Sequence, residues 1–291
     1  MTGKCEINRG IGKPKLGGSR AESPRRAYCY CSTRNIITEV GKHSKRSYTF
    51  LPMKPYFQAG GITIFNAAAH DVLPSLGAQC VDLLLTDPPY GIAYRSSAKK
   101  NGVARSIQND DNLNALRGIL PLADALLKPD RHAYIFAAPS RIGEATAAIE
   151  IYWRIKNAIV WDKGNAGSKG DCQAGYANNW EAIIYANKGR RPLNGPRPRA
   201  IIRHDWQGSR DPVHPTVKPV DIFRPLVSRS SLPGELILDP FCGSGPSLIA
   251  AAEMDRRAIG IEIEERYCEV AARRVDKVLN RIGAATDKVA A

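Results

Sequence analysis

An α/β fold, with a mostly parallel sheet covered by helices on both faces, is what this sequence of 291 residues predicts. Three observations carry the prediction. Seven short runs rich in β-branched, leucine and aromatic residues alternate with helical stretches. The runs are continuously apolar instead of alternating, as strands buried on both faces require. An apolar content of 43% in a chain of this length is enough for a sizeable core.

The elements follow in order. Residues 1–52 hold eleven Lys/Arg against three Asp/Glu, more than half of the formal net charge of +14. This stretch is rich in Gly, Ser and Pro and has no hydrophobic period, so a basic disordered arm is expected. Two readings of it stand side by side: a tail that binds nucleic acid, or residues upstream of a true start at Met53. The folded domain is expected over residues 53–291. Its strands are Ile62–Phe65 (ITIF), Val81–Thr86 (VDLLLT), His132–Ala137 (HAYIFA), Asn157–Trp161 (NAIVW), Ala182–Ala186 (AIIYA), Leu236–Asp239 (LILD) and Ala258–Ile263 (AIGIEI). A helix is expected from Ser247 to about Glu253, and a closing helix from Glu264 to about Leu279. The stretch from Asn187 to Asp211 is far longer than an ordinary connection.

Several function classes drop out early. No run approaches the roughly 20 apolar residues of a bilayer span, and no apolar segment follows the basic N-terminus, so a cytoplasmic protein with no membrane partner is expected. The seven cysteines include no CxxC pair, which favours neither a disulfide framework nor a zinc module, and no metal site is expected. The positive charge points to a polyanionic partner.

Two segments carry chemistry. The strand VDLLLT ends on DPPY, Asp87–Tyr90, where two prolines fix φ and remove two backbone donors. Strands usually hand over to flexible turn residues, so rigidity is wanted at this corner. The second segment is LDPFCGSGPSLIAA, Leu238–Ala251. A strand ends at Asp239, Gly243 and Gly245 allow a tight turn and close approach to a ligand, and Pro246 suits a first helical turn. Glu262, about 20 residues on, can accept hydrogen bonds from two ribose hydroxyls. The third glycine of a dinucleotide fingerprint is replaced by Leu248. This argues against a pyrophosphate cofactor and leaves an adenosine ligand without phosphates, such as S-adenosyl-L-methionine.

DPPY at Asp87–Tyr90, HPTVKP at His214–Pro219 and DPFCGSG at Asp239–Gly245, in that order, resemble the amino-group DNA methyltransferases of the β arrangement. The similarity spans about residues 56–275. It implies a Rossmann-like methyltransferase sheet of seven strands in circularly permuted order, the catalytic motif preceding the cofactor loop. ITIF would be its third strand, VDLLLT its fourth and LILD its first. The resemblance also implies S-adenosyl-L-methionine as cofactor and double-stranded DNA as substrate, with a flipped base methylated on its amino nitrogen. Asp87 and the carbonyl of Pro88 would accept hydrogen bonds from that amino group, Pro88 and Pro89 would stiffen the corner, and Tyr90 would stack on the base. Lys218 would meet the cofactor's carboxylate, Thr216 and Lys218 lying on the loop and helix start that close this end of the pocket, and Asp239 would face its ammonium. Phe241 would pack on the cofactor, beside the turn at Gly243 and Gly245 and the acceptor Glu262.

The acid at the head of DPPY favours adenine, serine being commoner there for cytosine-N4. The alternatives kept open are a cytosine-N4 enzyme, an enzyme acting on RNA, and a weakly active homologue that binds nucleic acid. Carbon-5 chemistry would need a cysteine nucleophile, usually after proline, and no Pro-Cys pair occurs. A homodimer and a cognate restriction nuclease are further partners left open. Two departures from the family pattern suggest weakened cofactor affinity: Ala68 in FNAAAH stands where an acid is usual, and Pro246 and Ser247 stand where two threonines are usual.

Candidate DNA contacts lie in two basic segments. Lys188–Arg210 holds six arginines and one lysine. Arginine suits phosphate clamping and bidentate reading of guanine, so Arg190, Arg191, Arg197, Arg199 and Arg203 are candidates. By position this segment resembles a target-recognition insertion, at about residues 187–213. Lys99, Lys100 and Arg105 form the second group, in a segment expected to fold over the extruded base.

Overall fold

The structure is a computed structural model that describes residues 53–90, 113–164, 174–177, 179–205 and 217–285, and the backbone alone of 28–31, 36–39, 47–49, 95–100, 103–106 and 286–290. The chain divides into two units, Met1–Thr49 and Phe50–Ala291. In the first, where composition predicts a disordered arm, β1 (Tyr28–Cys31), β2 (Ile36–Glu39) and β3 (Ser47–Thr49) pair as an antiparallel sheet.

The second unit opens with β4 (Phe57–Ala59), β5 (Ile62–Asn66), α1 (Ala69–Val72) and β6 (Val81–Thr86). A hairpin of β7 (Arg95–Lys100) and β8 (Val103–Ser106) follows. Then come α2 (Asn114–Leu126), β9 (Leu127–Ala137), α3 (Ile142–Glu150), β10 (Arg154–Asp162), β11 (Trp180–Lys188) and β12 (Ile201–Arg203). The chain closes with α4 (Val220–Ser230), β13 (Leu236–Asp239), α5 (Pro246–Glu253), β14 (Arg257–Glu262) and α6 (Glu265–Ala290).

The main sheet has nine strands in the order β12-β10-β11-β9-β6-β13-β14-β5-β4. This corrects the expected seven. The two additions are three-residue strands at the sheet edges, β4 and β12, too short to leave an apolar run in the sequence. The core from β5 through β14, β13 and β6 to β9 is parallel, whereas β11 runs antiparallel to both β9 and β10. The strand ITIF therefore lies two places from LILD, with β14 between them, and VDLLLT lies on LILD's other side.

Helices cover both faces because successive strand residues point opposite ways. Leu83 and Leu85 join Phe223, Val227, Leu248, Ala271 and Val275 from α4, α5 and α6 in one core. Leu84 joins Val72, Leu116, Leu120 and Ile149 from α1, α2 and α3 in the other. Every residue of β6 is buried, which explains the apolar run Leu83–Leu85 at its centre.

The N-terminal end of the sheet is held by an ionic cluster. Asp82 is almost fully buried and accepts hydrogen bonds from Lys128 Nζ at 2.7 Å, Arg131 Nε at 3.1 Å and the Leu236 N–H at 3.0 Å. Burial pushes its carboxyl up, but those three donors outweigh it and hold the group below the usual carboxylate range. The C-terminal ends are arranged differently. β6 and β13 pair directly, Leu83 with Ile237 and Leu84 with Leu238, while their onward connections lead to opposite sides of the sheet. Such a switch point leaves a crevice beyond the strand ends, where parallel α/β sheets hold ligands.

Candidate active site

Thr86, the last residue of β6, donates its hydroxyl to Asp239 Oδ1 of β13 at 2.8 Å. The rigid DPPY corner and the glycine turn thus leave the sheet side by side. Asp239 also accepts the Phe241 N–H at 3.1 Å and the Ser247 hydroxyl at 2.5 Å. Its carboxylate is nearly fully buried, and burial raises its pKa to about 6 against the pull of those donors. Asp239 is therefore turned into the protein as the pin of the turn. Ser247, part of the second departure from the family pattern, supplies a hydroxyl to that pin.

The turn itself follows from glycine. Gly243 and Gly245 have φ of +50° and +77°, the left-handed region that side chains avoid. At Gly245 a Cβ would also lie 3.0 Å from the Cβ of Ala271 on α6. Gly245 caps α5, and Pro246 occupies its first turn, where a missing N–H costs nothing. Glu262 ends β14 next to this turn, its two oxygens accepting the N–H of Gly243 at 3.0 Å and of Glu264 at 2.8 Å. Burial pushes its carboxyl up to about 7. Phe241 is half-buried against the α1–α3 core. Ala68 precedes α1 and supplies no side-chain cap, and Asn66 instead ties β5 to the carbonyls of Glu262 and Ile263 at 3.1 and 3.0 Å.

At the DPPY corner the side chains form one network. Tyr90 OH donates to Asp87 Oδ1 at 2.5 Å and also lies 2.9 Å from Glu181 Oε2. Lys218 Nζ lies 2.5 Å from Asp87 Oδ2, 2.8 Å from Tyr90 OH and 3.2 Å from Glu181 Oε2. Glu181 stands at the start of β11, and Lys163 Nζ holds its other oxygen at 2.6 Å. Burial, reinforced by the Glu181 charge, pushes the Asp87 carboxyl up despite Lys218. Glu181, held between two ammonium groups, is kept below the usual range although burial opposes this. Lys218 keeps its proton more firmly than usual, the two carboxylates outweighing its burial.

The predicted site residues thus divide. Asp87, Pro88, Pro89, Tyr90, Lys218, Asp239, Phe241, Gly243, Gly245 and Glu262 gather at the C-terminal edge of the central strands. Lys218, expected at the cofactor's carboxylate, is directed at Asp87 and Glu181. Thr216 lies outside the described residues, and only the backbone of Lys99, Lys100 and Arg105 is described. In the long basic stretch, Arg197 and Arg199 are exposed. Arg203 is 84% exposed and lies 3.6 Å from Asp162. Arg190 is exposed, its backbone N–H bonded to Asp130. Arg191 is different: its guanidinium is mostly buried and grips both oxygens of Glu235 at 3.2 and 3.0 Å.

Sequence reasoning missed Thr86, Lys163 and Glu181. Thr86 had a local signal, a hydroxyl closing an apolar run directly before Asp87. Glu181 had none, since its meaning depends on β11 lying one strand away from β6, across β9.

A family model described as DNA methylase matches residues 81–273, a span that contains both the DPPY corner and the glycine turn. The chain belongs to that family. Among relatives of this DNA methylase, the type II methyltransferase M2.DpnII of Streptococcus pneumoniae is 25% identical over 257 residues, covering 78% of this chain and 94% of the relative. Solved structures share the fold. The M1.HpyAVI–SAM complex superposes with a TM-score of 0.58 at 23% identity, covering 74% of the methylase and 99% of that chain. The cytosine-N4-specific PvuII DNA methyltransferase gives a TM-score of 0.62 at 14% identity, covering 79% and 95%. No described helix of the methylase is long and apolar enough to cross a membrane.

Proposed function

We propose that this DNA methylase transfers a methyl group from S-adenosyl-L-methionine to the N6 amino nitrogen of a flipped adenine in double-stranded DNA. The observation that carries the reading is the Thr86–Asp239 hydrogen bond, which sets the acceptor corner and the glycine turn on one edge of the sheet. The residues present fit an adenosine ligand. The turn at Gly243–Gly245 admits close backbone approach, Glu262 is a mostly buried acceptor beside it, and Phe241 offers a partly exposed ring. When bound, the cofactor supplies an electrophilic methyl on a sulfonium.

An exocyclic amino nitrogen is a poor nucleophile because its lone pair is delocalised into the ring. Asp87 and the Pro88 carbonyl counter this as two acceptors at a fixed angle, localising the lone pair and aiming it. The prolines keep that angle constant. As the N–CH3 bond forms and the S–CH3 bond breaks, the nitrogen sheds one proton, and Asp87, whose proton affinity burial has raised, is the base in reach. The exposed Arg190, Arg197, Arg199 and Arg203 supply positive charge for the phosphate backbone.

The aspartate heading DPPY supports adenine. Cytosine-N4 is the second reading, favoured by the fold shared with the PvuII enzyme. Incubating the full chain with duplex DNA and tritiated cofactor, then analysing the nucleosides, separates the two. Label in N6-methyl-2′-deoxyadenosine is expected; label in N4-methyl-2′-deoxycytidine, or in no DNA nucleoside, overturns the reading.

Cofactor affinity should depend on pH through Glu262. Its pKa in the free protein is about 7, and only the ionised carboxylate accepts from both ribose hydroxyls. The bound state therefore favours the ionised form. Affinity measured calorimetrically should be flat above about pH 7 and fall by up to about tenfold per unit below it. Glu262→Gln should bind more weakly and lose that limb.

A further inference from the structure

The network at the DPPY corner contains one carboxylate with no role in the reaction as derived so far. Glu181 is anchored at Oε1 by Lys163 Nζ, 2.6 Å away, which leaves Oε2 facing the corner. On that single oxygen converge Tyr90 OH at 2.9 Å and Lys218 Nζ at 3.2 Å. The same two donors occupy the two oxygens of Asp87, each at 2.5 Å. Each Asp87 oxygen already accepts one short hydrogen bond, so an incoming amino group competes with Tyr90 and Lys218 for the carboxylate. Something must receive the donors it releases, because a desolvated ammonium or hydroxyl left without a partner is costly.

We propose that Glu181 is a positioning residue for methyl transfer, receiving Lys218 and Tyr90 on Oε2 as the target amino group takes the oxygens of Asp87. Both donors already lie within hydrogen-bonding reach of both carboxylates, so the exchange needs only small side-chain rotations. The clamp from Lys163 keeps the receiving oxygen in place. The charged groups around the exchange are Lys218 ahead of α4, Lys163 after β10, and Asp239 on β13, whose charge also acts on Asp87. Lys218 additionally sits 5.0 Å from the centre of the Tyr90 ring, so a shift of the ammonium toward Glu181 changes the environment of the face proposed to stack on the base.

The inference rests on the amino-methylation reading above, and the test separates the two. Wild type, Glu181→Gln and Glu181→Asp are compared in steady-state methyl transfer to duplex DNA across pH, alongside cofactor binding and melting. Glu181→Gln is expected to lower kcat at least tenfold with cofactor affinity within about twofold of wild type. Its acid limb in kcat/KM should move to lower pH, because a negative neighbour that raises Asp87 is gone. Glu181→Asp should recover part of kcat. An active wild type with an indifferent Glu181→Gln variant, in kcat and in pH profile, overturns the proposal alone. So does a variant whose loss tracks a fall in melting temperature and cofactor binding. A wild type that methylates no DNA amino group overturns the parent reading, and this inference with it.

Discussion

Asp87→Asn is expected to lower methyl transfer to DNA by about 10²–10³-fold, the scale on which removing one preorganised polar contact in an active site acts. The substitution keeps the shape of the side chain but turns one acceptor into a donor. An amide N–H then faces an amino group that itself needs an acceptor, so the lone pair stays delocalised. The fold should survive, because Lys218 retains Glu181 at 3.2 Å and its charge is not left alone. Cofactor binding should persist, since Glu262 and the turn at Gly243–Gly245 make no contact with Asp87. Single-turnover transfer of tritiated methyl, with calorimetry of cofactor binding as the control, checks both halves. Activity within a few-fold of wild type would remove Asp87 from the reaction.

Asp82→Ala is expected to show the opposite pattern: a loss of about 3–5 kcal/mol in stability, with the activity per folded molecule kept. Asp82 lies only five residues before Asp87 but at the other end of β6, and it ties β6 to β9 through Lys128 and Arg131 and to β13 through the Leu236 N–H. Removing it strands a buried N–H and the Lys128 ammonium, which water reaches only in part, and leaves Arg131 paired with Glu235. Because the folded protein holds Asp82 ionised below the ordinary carboxylate range, its contribution is fully present at neutral pH. It is lost as pH falls through the folded pKa. Urea unfolding at pH 7 measures the effect, and a midpoint unchanged from wild type would show that the cluster stabilises nothing.

Much of this was legible from the chain alone. VDLLLT, HAYIFA, AIIYA and LILD read as strands because both faces of the central sheet are covered, so they are mostly apolar, and the polar residues they hold, Asp82, Thr86, His132 and Asp239, are buried with hydrogen-bond partners. The DPPY corner and the glycine turn were legible because proline and glycine restrict or free the backbone in ways that local sequence displays. What could not be read depends on packing between distant segments. The edge strands β4 and β12 are held by their neighbours, Ala59 opposite Ile62 and Ile201 opposite Val160, and neither has a pattern of its own. Arg191 looked like any other member of a basic stretch, and only the fold shows it turned to Glu235. Lys218 and Glu181 lie far apart in the chain, and their ion pair exists only once β11 and the start of α4 are in place.

The strand order has a consequence for synthesis on the ribosome. β5 and β6 emerge early and nearly together, yet the finished sheet separates them by β13 and β14, which are made last. The bond from Thr86 to Asp239 spans 153 residues. Until the final fifth of the polypeptide is translated, the nascent domain lacks the two strands that stand between β5 and β6. That gap is flanked by the apolar, unpaired edges of ITIF and VDLLLT, a state that molecular chaperones are suited to shield.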